Sequence, residues 1–278
     1  MWGSGSREMR EQLTDLWRTV FGDEPAYTDL FFDRLYRPEW TLTREEDGRV
    51  ASALYLLDAP LLTEAGGEPS LYLCAAATRP EYRGRGYMAD LIGQAKELAR
   101  SRGIPSVSLI PAEASLFSYY ERFGFRSFFY RSRYTARAEE GGEGYDFLPA
   151  GPEELFRLET EVLRQYPGSA LKSPAYFAFL QRETALLGGG LLKIVRRGNP
   201  LGYLVCLREG GAPYIKELMC PAEERVPAAG AFARSRGLLH IAAFGPAEQG
   251  GKPRGMLWRA EGFEAPGKNL PYIGCMLD

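Results

Sequence analysis

The stretch from Leu71 to Ala99 constrains the fold more than any other part of the chain. An apolar run, Leu71 to Ala77, reads as a strand. It breaks at Arg79-Pro80-Glu81-Tyr82-Arg83-Gly84-Arg85-Gly86-Tyr87-Met88, a basic segment whose two glycines are separated by a single residue. Directly after it, Met88, Leu91, Ile92, Ala95, Leu98 and Ala99 keep a helical spacing that turns one face to a core. Strand, glycine turn and helix start, in this order, make an anion site. Glycines let the backbone bend and approach closely. The helix start offers unpaired N–H groups and the positive end of a dipole, and Arg83 and Arg85 add charge. A pyrophosphate suits such a site. No Gly-Lys-Ser/Thr follows, which excludes a P-loop, and the Gly-x-Gly-x-x-Gly of a dinucleotide fold is missing.

A second landmark follows the helix. Ser106 to Ile110 is a short apolar run that reads as a strand, and Pro111 marks its exit. Then comes Leu116-Phe117-Ser118-Tyr119-Tyr120-Glu121-Arg122-Phe123-Gly124-Phe125, a short helix that Gly124 can close in the left-handed conformation. Together the two landmarks resemble the GNAT acetyltransferases. In that family an Arg/Gln-x-x-Gly-x-Gly/Ala turn between a strand and a long helix binds acyl-CoA, and a short tyrosine-bearing helix follows. The match here reads Arg83-Gly84-Arg85-Gly86, with Pro80-Glu81-Tyr82 before it also typical.

The resemblance implies an α/β (α+β) fold with a mixed, mostly antiparallel sheet flanked by helices, and acetyl-CoA as acyl donor. It implies that the backbone of Ala76, Ala77 and Thr78 holds the pantetheine arm and the acetyl carbonyl. The N–H groups of Gly84, Gly86, Tyr87 and Met88 would hold the pyrophosphate, with Arg83 and Arg85 in reach. Tyr120, four residues before Gly124, takes the place of the family's acid, which protonates the departing thiolate; Tyr119 points elsewhere round the helix. The Asn that often stands seven positions before this tyrosine is Glu113 here.

The general base is not legible. Many members carry a Glu on the strand before the turn, and Leu71 to Thr78 has no carboxylate. A remote acid acting through water and an amine already partly neutral are open. So is the terminal carboxylate at Asp278, because the layout also resembles the Eis-type acetyltransferases. These join an active and a degenerate GNAT unit, use their terminal carboxylate, and carry a third, sterol-carrier-like domain for which this chain has no room. Glu217, on an expected strand of the second half, is no better supported as a base, and His240, after Leu238-Leu239, reads as a core residue.

The second half echoes the first. Ala99-Arg100-Ser101-Arg102-Gly103 recurs as Ala233-Arg234-Ser235-Arg236-Gly237, Pro80 has a counterpart in Pro221, and Gly124-Phe125 in Gly262-Phe263. Order is kept while spacing drifts, as in diverged copies. The expected division is a GNAT unit over 7–137 with the acyl-CoA site, a linker at Glu139 to Gly144, and a GNAT-like unit over 145–278. In the second unit the turn has become Ala222-Glu223-Glu224-Arg225-Val226-Pro227 and the tyrosine position falls on Trp258, so one acyl-CoA site per chain is expected.

Of the 278 residues, 45% are apolar and 25% charged, with a net charge of −2, which argues against a surface dedicated to nucleic acid. No run approaches the roughly 18 apolar residues of a membrane helix, and no signal-peptide core is present at the start. Four scattered cysteines and one histidine suit reduced thiols in cytoplasm and make a metal site improbable. The expected reaction is transfer of an acetyl group to a primary amine, on a small molecule or a peptide. The competing readings are a non-catalytic acyl-CoA-binding or regulatory module and a transferase of a different acyl or aminoacyl group.

Overall fold

The computed structural model describes residues 4–247, 250–260 and 270–277. Helices α1 (Ser4–Phe21) and α2 (Pro25–Arg34) lead in, separated by Gly22 at φ +72°. Strands β1 (Thr41–Glu46) and β2 (Arg49–Asp58) form a hairpin turned by Asp47 and Gly48, both at positive φ as a tight hairpin of this hand requires. A two-stranded ribbon follows, β3 (Leu61–Thr63) with β4 (Gly66–Glu68). Next come β5 (Ser70–Thr78), α3 (Tyr87–Ser101), β6 (Ser106–Leu109), α4 (Ser115–Glu121) and β7 (Arg126–Arg137). The second half runs β8 (Tyr145–Leu148), α5 (Pro152–Leu163), α6 (Pro174–Leu186), β9 (Gly190–Arg196), β10 (Asn199–Glu209), β11 (Ala212–Met219), α7 (Arg225–Ser235), β12 (His240–Pro246) and β13 (Lys252–Arg259).

Eleven of the strands make one continuous sheet in the order β1-β2-β5-β6-β13-β7-β12-β11-β10-β9-β8. It is mostly antiparallel; among the described residues only β5–β6 and β11–β12 are parallel. The centre of the sheet is interleaved. Strand β13, late in the chain, lies between β6 and β7, and β7 lies between β13 and β12. The aromatic stretch 125–137 suggests two strand segments; the structure has one strand of 12 residues. Its first part pairs with β13 and its second with β12, so two different partners keep it extended throughout.

Alternation along the central strands sends side chains to opposite faces. Tyr55, Leu57, Tyr72 and Cys74 join one apolar core with α1, α2, α5 and α6, and this core runs through both halves. Leu54, Leu56, Leu71 and Leu73 face the other side, where α3 and α4 cover them. Helix α7 covers a third cluster on the second half of the sheet.

The repeated pentapeptide closes α3 and α7 alike. Gly103 and Gly237 take φ +68° and +67°. The amides of Ile104 and Leu238 donate to the carbonyls of Ala99 and Ala233, and those of the two glycines to Arg100 and Arg234. This is the paired 6→1 and 5→2 pattern of a Schellman cap, which needs a residue at ease in the left-handed region.

Other expectations change. Trp258 does not sit on a helix as Tyr120 does. It is on β13, buried opposite Val107, because that strand is taken up by the central sheet. His240 is exposed at the start of β12 and is no core residue. Nor is the segment 139–144 a free linker: a Cβ on Gly141 would come within 2.5 Å of the Ala231 amide nitrogen, so the segment is pressed onto α7. Gly262, Phe263 and Asp278 lie outside the described residues.

Candidate functional site

Strands β5 and β6 pair only from Ser70 to Leu73. Strand β5 continues to Thr78, while β6 ends at Leu109, so the two part. At the parting Ala75 takes φ +46° and the pairing with β2 slips between Tyr55 and Ala53. A bulge of this kind re-aims the backbone next to it. The small side chains of Cys74 to Ala77 leave the gap open.

Beyond Thr78 the turn is fastened from below. Arg79 is buried, its Nε donating to the Val50 carbonyl at 2.8 Å and its guanidinium paired with Asp15 of α1. Nothing in the sequence pattern singles this arginine out from its basic neighbours; only its burial does. Gly84 and Gly86 follow at φ +78° and +84°, with open space around both, so their backbone conformation and not crowding excludes other residues. Among the described residues none of the N–H groups of residues 84–89 has an acceptor. They line up at the start of α3, whose dipole adds positive potential. Arg83 is exposed and its Nε donates to the Thr78 carbonyl at 3.2 Å; Arg85 lies folded over the Tyr82 ring, 5.0 Å from its centroid. The Tyr87 hydroxyl donates to Glu46 at 2.8 Å, tying the helix start to the hairpin.

These amides open on a cleft of about 800 Å³ lined by Ala76, Thr78, Arg83, Gly84, Gly86 and the first turn of α3, with α4 opposite. Ala77 is not part of the wall: it is buried against β2, its carbonyl accepting from Ser52 Oγ at 2.9 Å. Counted from Arg83, the last small position of the turn pattern falls on Met88, whose side chain forms part of the wall.

Tyr120 stands where this cleft meets a second, smaller cavity of about 390 Å³, and Ala76 and Leu116 are also common to both. Tyr119 lines the first only. Phe125 packs against the Tyr120 ring with centroids 6.0 Å apart. Burial pushes the Tyr120 phenol up to about 12, so it keeps its proton across the neutral range.

The smaller cavity also reaches the end of the chain. Residues 271–277 are buried, and the Tyr72 hydroxyl donates to the Leu277 carbonyl at 2.9 Å at the cavity wall. A buried ion network fixes this tail. Lys172 Nζ donates to Glu159 at 2.6 Å, to Glu217 at 3.0 Å and to the Tyr203 hydroxyl at 3.1 Å. Glu217 in turn accepts from the Cys275 amide at 3.2 Å. Burial works against the Lys172 charge, but the two carboxylates outweigh it and raise its pKa. Glu217 is thus spent on structure, not available as a base. The network was not legible in sequence, because its members come from α5, the segment before α6, β10 and β11.

Among the described residues there is no cluster of three groups that could hold a metal ion, and no helix is long and apolar enough to cross a membrane.

Comparison with known proteins bears on the fold that carries this geometry. A family model described as an acetyltransferase (GNAT) domain matches residues 5–128. The fold resembles Eis1 from Mycobacterium abscessus (TM-score 0.69, 15% identity, covering 92% of this chain and 72% of that one). It also resembles a GCN5-related N-acetyltransferase from Anabaena variabilis (TM-score 0.70, 18% identity, 90% and 70%). A tandem GNAT protein from the clavulanic acid biosynthesis pathway aligns over 95% of this chain and 98% of its own, with TM-score 0.52 and 16% identity. At these identities the likeness is one of fold. No curated protein matches the sequence.

Proposed function

We propose that the chain is an acyltransferase of the GNAT kind, on the match of residues 5–128 to that family's model, and that it moves an acetyl group from acetyl-CoA to a primary amine. One observation carries the reading: the run of unpaired amides at residues 84–89, beside a parted strand pair and at the mouth of the larger cleft. Such a nest suits a pyrophosphate, and the gap between β5 and β6 offers backbone groups to the pantetheine arm and the thioester carbonyl. In this reading Ala76 and Thr78 provide them, and Arg83 and Arg85 add charge near the phosphates.

In this reading the amine attacks the thioester carbon, the C–N bond forms and the C–S bond breaks. The amine gives up a proton to a base, and the leaving sulfur receives one from Tyr120. A phenol pushed up to about 12 lies roughly 3 pK units above an ordinary thiol, so it hands over its proton only as charge develops on sulfur. The Asp278 carboxylate is our candidate base, supported by Leu277 lining the cavity that Tyr120 closes. In the same reading 7–137 is the catalytic copy and 145–278 a second, GNAT-like copy without an acyl-CoA site.

The test is calorimetry with acetyl-CoA, followed by thiol-release assays on a panel of amines. Saturable binding with amine-dependent CoA release supports transfer. Binding without release for any amine supports the non-catalytic module, and no binding removes both.

A further inference from the structure

The smaller cavity points to a class of acceptor, an inference that rests on the acetyl-transfer reading. Four aromatic side chains with a polar tip line it, Trp17, Tyr27, Tyr72 and Tyr120, and the tips of the first three are already engaged. Trp17 Nε1 donates to Asp23 Oδ2 at 2.8 Å, the Tyr27 hydroxyl to Glu183 at 3.1 Å, and the Tyr72 hydroxyl to the Leu277 carbonyl at 2.9 Å. What they leave for a ligand is ring surface. Cys74, also in the wall, is fully buried; burial pushes its thiol up, and it behaves as a small apolar group. Among the described lining residues Asp23 is the one that carries a charge. It is half-buried, beside an exposed Phe21, and the Trp17 bond fixes its orientation.

We propose that the acceptor is a small amine with a single positive charge and an apolar, ring-sized body. The body fills the cavity against Trp17 and Tyr27, and Asp23 together with the aromatic faces draws in the ammonium. A volume of about 390 Å³ is at the small end of ligand cavities. A polyamine or an amino sugar would carry further charges or hydroxyls against ring faces, more than Asp23 and the Tyr120 hydroxyl among the described lining residues can pair, which a cavity of this kind disfavours.

Phenethylamine, spermidine and kanamycin separate the possibilities. Binding to the full chain is read by saturation-transfer NMR and calorimetry, and turnover by thiol release at saturating acetyl-CoA. Phenethylamine is expected to bind, with kcat/KM at least about tenfold above the other two. Asp23→Asn should weaken phenethylamine by about tenfold and leave acetyl-CoA affinity where it was, whereas Glu24→Gln, its exposed neighbour, changes neither. Spermidine or kanamycin equal to phenethylamine, or an Asp23→Asn chain that binds phenethylamine as before, overturns the proposal. Turnover of spermidine without phenethylamine binding removes this acceptor class and leaves acetyl transfer standing. Phenethylamine binding that Asp23→Asn weakens, in a chain that ignores acetyl-CoA, does the reverse.

Discussion

The unit from β5 to α3 and the unit from β11 to α7 share a skeleton and differ in what occupies the turn. In each, a strand with a parallel neighbour leads through a short 3-10 turn beside a proline into a helix that ends in the same Schellman cap. At the first turn Gly84 and Gly86 leave a row of amides without acceptors among the described residues. At the second, the side chains of the turn are bonded into the surrounding protein. Glu224 accepts from Arg196 at 2.6 Å and from the Tyr145 hydroxyl. Arg225 is buried, donating to the Pro246 carbonyl at 2.8 Å and to the Tyr166 hydroxyl at 2.6 Å, and the segment around Gly141 presses on the helix. One backbone frame thus carries an open row of amides or a closed internal joint. The choice lies in whether side chains satisfy the turn from within.

Substitutions in the two units put this contrast to the test. The largest effect belongs to Tyr120→Phe, expected to cut kcat by about 10²–10⁴ while acetyl-CoA affinity by calorimetry stays the same. The pH profile of the parent chain carries the same information. A phenol raised to about 12 stays protonated until pH rises through that value, so kcat should show no loss from Tyr120 between about pH 8 and 10.

Lys172→Met comes next. It leaves Glu159 and Glu217 facing each other in the core and should cost about 3–5 kcal/mol in urea unfolding. A loss under 1 kcal/mol would mean the network is not what holds the tail.

Gly86→Val places a β-branched residue at φ +84°, where it is strained, and disturbs the row of amides. Acetyl-CoA binding should weaken by about 30–100-fold, roughly 2–3 kcal/mol. Smallest are Gly103→Ala and Gly237→Ala, each expected to lower stability by about 1 kcal/mol with no change in acetyl-CoA binding. If the two differ widely, the likeness of the caps is only apparent.

Much of the first unit was legible because its signals are local. The φ demands of Gly84 and Gly86, the helical spacing from Met88 to Ala99 and the cap at Gly103 are each encoded within a few residues. The same is true of Tyr120 and Gly124. Trp258 and the stretch 125–137 were misread for the opposite reason. Both depend on a strand pairing between residues more than a hundred positions apart, and alternation along a strand says which face a side chain takes but not which strand lies alongside.

The amino-acid sequence alone therefore determined the glycine turn, the helix that follows it and the short tyrosine-bearing helix, since short-range sterics and hydrogen bonding leave few alternatives there. Only the tertiary structure decided the rest. It placed β13 between β6 and β7, buried Lys172 between two carboxylates, and brought Leu277 beside Tyr72 at the smaller cavity. Those outcomes follow from edges and faces that must be covered once the sheet has formed, a requirement no short segment carries by itself.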